Sequence, residues 1–96
     1  MKTSVGRIVH YRVSPHDCIG SKVPGRIGEV RAAEIVNAWG GQEDVGSTPN
    51  LMVKPDGGND GVSPDANGTY GALWLTSVPF DAAGEKPGHW FWPPRV

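Results

Sequence analysis

The segment EVRAAEIVNAW, residues 29–39, fits two periods, and the architecture turns on which one applies. With a helical period Ala32, Ile35, Val36 and Trp39 share a face; with a period of two, Ala33, Ile35, Asn37 and Trp39 do. Propensity favours helix, whereas the setting favours strand. A segment this short, with no N-cap and turn signals on both sides, makes a marginal helix in isolation. It is therefore read as a strand, with Glu34 the candidate for a bulge.

The flanking segments agree with that choice. VGRIVHYRV (5–13) alternates, with Val9, Tyr11 and Val13 on one side and His10 and Arg12 on the other, as a half-buried strand does. A loop with two prolines follows over 14–28, and after 29–39 a second loop spans 40–49. NLMVK (50–54) is a short strand ended by Pro55 and the Asp56-Gly57 turn pair. Residues 56–71 form a long glycine- and Asp/Asn-rich loop. ALWLTSV (72–78) is a strand with Ala72, Trp74, Thr76 and Val78 on one side and Leu73, Leu75 and Ser77 on the other. A connection over 79–88 leads to a last strand, HWFW (89–92), stopped by Pro93-Pro94. Five strands and no convincing amphipathic helix predict one all-β domain over 1–96, a small SH3-like barrel or rolled antiparallel sheet. On that topology the last strand lies against the first, with Trp90 and Trp92 on one face and Phe91 on the other.

Composition sets the limits on function. At 96 residues the chain buries roughly 60–65% of its unfolded surface, so self-association would relieve a small core. Its 14 glycines and nine prolines are dispersed between apolar segments and mark turns. One cysteine, Cys18, supports neither an internal disulfide nor a thiolate zinc site. The N-terminus has no signal-like apolar stretch, and no apolar run approaches the ~18 residues that cross a bilayer. A soluble protein without a membrane partner is expected. Charge is uneven: Lys2, Arg7, Arg12, Lys22, Arg26 and Arg31 face only Asp17 and Glu29 within residues 1–31, whereas 32–85 holds Lys54 against eight acids. One face could attract anions, or the basic part of one copy could meet the acidic part of another.

The chemistry-bearing motifs mostly fail on inspection. His10, His16, Asp17 and Cys18 are near in sequence, but His10 is mid-strand and His16 in a loop, so no metal site is expected. DGGNDG (56–61) begins like a calcium loop, yet Gly58 and Asn67 stand where ligands are required. No nucleophile elbow, P-loop or dinucleotide fingerprint is present, so neither enzymatic activity nor a cofactor is expected. Arg7, His10, Tyr11 and Arg12 suggest a nucleic-acid platform, but the acidic middle and the net charge of −1 disfavour it, and Tyr11 reads as core. A small anionic ligand with an aromatic ring fits better. Arg31 would meet phosphate, Trp74 and Trp90 would stack a ring, and Asn59, Asp60 and Ser77 would read hydroxyls.

At VGRIVHY, RAAEIV, NLMVKPDGGNDG, LWLTSVPFD and KPGHWFWP the chain resembles a family of small, mostly uncharacterised proteins of tailed bacteriophages and prophages. The shared features are V-G-R-[IV]-V-H-Y, a central N-L before an Asp-Gly turn, S-V-P-[YF]-D and P-G-x-W-x-W-P, in order along most of the chain. Glu34 interrupts an apolar run, and Phe91 stands where a polar residue is common. The resemblance brings no established activity; it implies a phage setting, in the host cytoplasm or the virion. In organisation alone the chain is similar to homo-oligomeric phage sponges that sequester nucleotide signals of bacterial immunity. The expectation is a non-enzymatic, self-associating binder of a nucleotide-like small molecule. The alternatives are a virion accessory or structural interaction protein and a nucleic-acid-associated barrel.

Overall fold

The computed structural model describes residues 2–18, 27–38, 43–44, 46–54 and 73–94. They form five strands, β1 (Ile8–Arg12), β2 (Val30–Asn37), β3 (Asn50–Val53), β4 (Leu73–Leu75) and β5 (Trp90–Phe91), with a 3₁₀ turn at Pro15–Cys18. Every strand pairing is antiparallel, in the order β4-β3-β2-β1-β5. The protein is all-β, and the ambiguous 29–39 segment is a strand at the centre of its sheet. Central position explains why β-type burial overrides helix propensity there: Ala33 and Ile35 point into the core, two residues apart.

The bulge lies elsewhere than at Glu34. Glu34 pairs regularly with Ile8 on β1 and Met52 on β3, and the register shifts between Ile35 and Asn37 instead. One extra residue there changes the alternation, so Asn37 is exposed although it was expected on the Ile35 side.

The core covers one face of the sheet. Val9 and Tyr11 from β1, Ala33 and Ile35 from β2, Leu51 and Val53 from β3 and Trp90 from β5 cluster there with Val78. The segment expected as a strand over 72–78 is shorter. It leaves the ladder after Leu75, and Ser77 takes a φ of 50°. That turn breaks the alternation, so Val78 is buried while Trp74, expected on its side, is exposed. Residues 76–80 then cross the core: the Val78 N–H donates to the Pro49 carbonyl at 2.9 Å, and Phe80 forms a parallel bridge with Trp90. The last strand lies against the first, as the barrel topology requires. β4 and β5 end the order of the named strands, and the crossing segment pairs along the outer side of β5, where the Trp90 N–H donates to the Pro79 carbonyl at 2.9 Å and the Asp81 N–H to the Trp90 carbonyl at 3.0 Å.

Two tryptophans near the C-terminus serve this closure. Trp90 is fully buried, with Phe80 at 4.6 Å and Trp92 perpendicular at 5.1 Å between ring centres. Trp92 is tied down in turn: its indole N–H donates to Asp44 at 2.7 Å, and the Arg7 guanidinium lies 4.9 Å over its ring. Each aromatic contact adds about 0.5–1.5 kcal/mol beyond burial, so Trp90 and Trp92 are anchored into the structure rather than displayed at its surface.

Candidate functional site

A cleft of about 480 Å³ opens between the outgoing end of β4 and the turns that follow β1 and precede β5. Its lining includes Trp74, Ser77 and Val78 on one side, Pro87 and Gly88 on the other, and Tyr11, Ser14 and Asp17. Local sequence explains the polar part. Ser14 precedes Pro15, which starts the 3₁₀ turn with its fixed φ, and Asp17 sits three residues after Ser14. The Asp17 carboxylate reaches back to accept from the Ser14 backbone N–H at 2.8 Å and the Ser14 hydroxyl at 3.1 Å, half of a capping box.

Tyr11 completes the group. Its ring belongs to the core, as expected, but its hydroxyl donates to the same Asp17 oxygen at 2.6 Å. Burial, reinforced by the bond to Asp17 and its negative charge, raises the phenol's pKa well above its ordinary value. It stays protonated at neutral pH and holds the carboxylate in place. The cleft thus presents an ordered carboxylate and hydroxyls beside an indole that is 68% exposed. Among the described residues lining it there is no Lys or Arg.

Ser77 is the strained member. A non-glycine residue at φ 50° is in the left-handed region, which disfavours a Cβ. It is held there by a long-range contact: its backbone N–H donates to the Asn50 side-chain oxygen at 2.9 Å. Strain retained by such a fixed partner at a cleft wall is a pattern of binding sites.

The residues singled out from sequence separate into groups. Trp74 and Ser77 meet at the cleft. Trp90 is fully buried in the core and offers no ring face to a ligand; its indole N–H has no hydrogen-bond partner among the described residues. Arg31 is the cross-strand neighbour of Tyr11, yet its guanidinium donates to the Val30 carbonyl at 2.9 Å, lies 3.5 Å from Glu29 and does not line the cleft. Asn59 and Asp60 lie outside the described residues. The Ser14–Asp17 pair was missed, although S-x-x-D with proline between is a legible turn signal.

The basic strand does not form one platform. Arg7 and Tyr11 belong to the core side, with Arg7 on Trp92. Arg12, on the other side, donates to the carbonyls of Gly84 and Gly28 and lies over Phe91, which also meets His10 edge-on at 5.6 Å. Among the described residues no three His, Cys, Asp or Glu converge as a metal site, and no helix is long and apolar enough to cross a membrane. Comparison with protein-family models, curated proteins and solved structures finds no match to this chain.

Proposed function

We propose that this chain is a non-enzymatic binding protein that takes the ring and sugar of a nucleotide-like small molecule in the cleft beside Trp74. The observation that carries this reading is the pairing of an exposed indole with a fixed carboxylate and hydroxyls around one cleft. A base stacks on Trp74 without needing charge, and ribose hydroxyls donate to Asp17 or exchange hydrogen bonds with Ser14 and Ser77. With no cation among the described lining residues, phosphates point to solvent, which departs from the role expected for Arg31. In the phage setting implied by the resemblance, such a protein in the host cytoplasm would sequester a nucleotide signal of bacterial immunity.

Tryptophan fluorescence titration with a nucleoside, its 5′-phosphate and its 2′-deoxy form tests the geometry. The reading expects the nucleoside and its phosphate to bind alike, the deoxy form to bind more weakly, and Trp74→Ala to weaken binding about 10- to 100-fold. Binding that is lost with the phosphate, or indifferent to Trp74, contradicts it.

One observation favours a second reading. The sheet face opposite the core exposes Trp74 and Ile8, a surface suited to another protein, as a virion accessory protein would need. Peptide mass spectrometry of purified virions separates the two: a stoichiometric virion component supports the second.

A further inference from the structure

The uncovered face of the sheet has an unusual composition for one that meets water. One cross-strand row reads Ile8, Glu34, Met52, Trp74, each opposite the next across β1, β2, β3 and β4. Ile8 is 46% exposed and Trp74 68%. Beside this row stand Ala32, which is exposed, and His10 against Phe91. An antiparallel sheet with one solvated face normally alternates to polar residues there, and this row has one, Glu34.

Glu34 and Lys54 supply the second observation. The ladder continues past β3, where the Lys54 N–H donates to the Ala32 carbonyl at 2.9 Å, so alternation puts the Lys54 side chain on the same face as Met52. Lys54 is therefore diagonal to Glu34 on the neighbouring strand. Neither side chain makes a hydrogen bond or ion pair among the described residues. Apart from Arg12 at the β5 side, whose guanidinium is engaged by the Gly84 and Gly28 carbonyls, the face thus carries one acid and one base, offset from each other among apolar neighbours.

We propose that a second copy of this chain covers this face, packing sheet against sheet about a two-fold axis that lies in the interface and passes between Glu34 and Lys54. An isologous contact of this kind uses the same patch twice, so each Glu34 meets Lys54 of the other copy in two reciprocal pairs. The register makes the rest of the patch compatible with that axis. Met52 and Trp74 lie to one side along it and face their own counterparts, and Ala32, small and exposed, lets the sheets approach at the centre. The contact is modest in area and belongs with reversible, concentration-dependent associations. Trp74 belongs to both this face and the cleft, so a second copy and a ligand compete for its ring, whereas Glu34 and Lys54, the residues altered in the test, do not line the cleft.

Sedimentation velocity over a concentration series, with Glu34→Lys and Lys54→Glu prepared separately, tests the pairing. Circular dichroism confirms that both variants, altered at the surface, remain folded. The wild type is expected to dimerise reversibly. Each single variant opposes like charges at both reciprocal pairs and should weaken dimerisation at least roughly tenfold. Mixed in equal amounts, the two variants regain complementary charges at both pairs and should form a heterodimer about as well as the wild type. No pairing within one chain can produce that rescue. A wild type that stays monomeric up to its solubility limit, single variants that dimerise like the wild type, or a mixture that stays monomeric each overturns the proposal. Ligand titration at concentrations where the wild type is monomeric reports on the cleft separately.

Discussion

Tyr11 joins the core to the cleft through one hydroxyl, and that hydroxyl can be removed without emptying the core. Tyr11→Phe keeps the ring and deletes the 2.6 Å bond to Asp17, so a loss of about 1.5 kcal/mol is expected in urea unfolding at neutral pH. The pH dependence has a definite sign. The phenol of the folded protein releases its proton above the unfolded value of 10.0, so the folded state holds a proton that the unfolded chain has lost. Stability from this group is complete below pH 10 and declines as pH rises beyond it. In Tyr11→Phe that part of the alkaline decline should be absent; an unchanged slope would mean the phenol is not held protonated by the fold. Ser77 gives the opposite kind of test. Glycine accepts the left-handed conformation without the Cβ penalty, so Ser77→Gly should raise stability by up to about 1 kcal/mol. Weaker ligand binding alongside that gain would identify the serine hydroxyl as a contact. Sequence made the burial of Tyr11 legible through alternation. It did not disclose the strain at Ser77, because the fixing contact comes from Asn50, 27 residues earlier.

Among the elements, the strands were readable and their irregularities were not. The 29–39 segment resolves to a strand because it lies between β1 and β3, where a period of two buries Ala33 and Ile35. The position of its bulge depends on how Asn37 meets Asn50, and a single strand carries no record of its partner. β4 ends early for a similar reason, since crossing the core toward β5 is a tertiary requirement. The turn before β5 is more explicit. Asp81 accepts the backbone N–H groups of Lys86 and Glu85 at 2.9 and 2.8 Å, and these bonds hold its carboxyl below the usual range. Gly84 follows with φ 70°, and a Cβ there would stand 2.8 Å from the Phe91 ring. Gly84→Ala therefore meets both backbone strain and a clash and should cost about 1–3 kcal/mol by thermal or urea unfolding. Combining it with Phe91→Ala removes the clash, so the double variant should be less destabilised than the sum of the two. Strict additivity would show that the ring is not the obstacle.

Across the whole molecule, the sheet has two differently used faces that meet at the β4 edge. One is closed by Trp90, Trp92 and the crossing segment; the other is left with Trp74 and Ile8 outward. Alternation in HWFW foretold the division of aromatics between faces, which is why the C-terminus was legible as a closing strand. The cleft was legible only in part. Trp74 and Ser77 converge on it, whereas Arg31 is engaged with its own neighbours and Trp90 is enclosed, because long-range packing decides which side chains remain available. The most direct test of the cleft as a binding site is a thermal-shift series of the purified protein against nucleosides, nucleotides, cyclic dinucleotides and ADP-ribose derivatives. A ligand at 100 times its dissociation constant adds about 2.7 kcal/mol, a rise on the order of 10 °C or more for a domain of this size. The account predicts such a rise for one ligand class, reduced in Trp74→Ala; a folded protein whose midpoint stays constant across the whole series would contradict it.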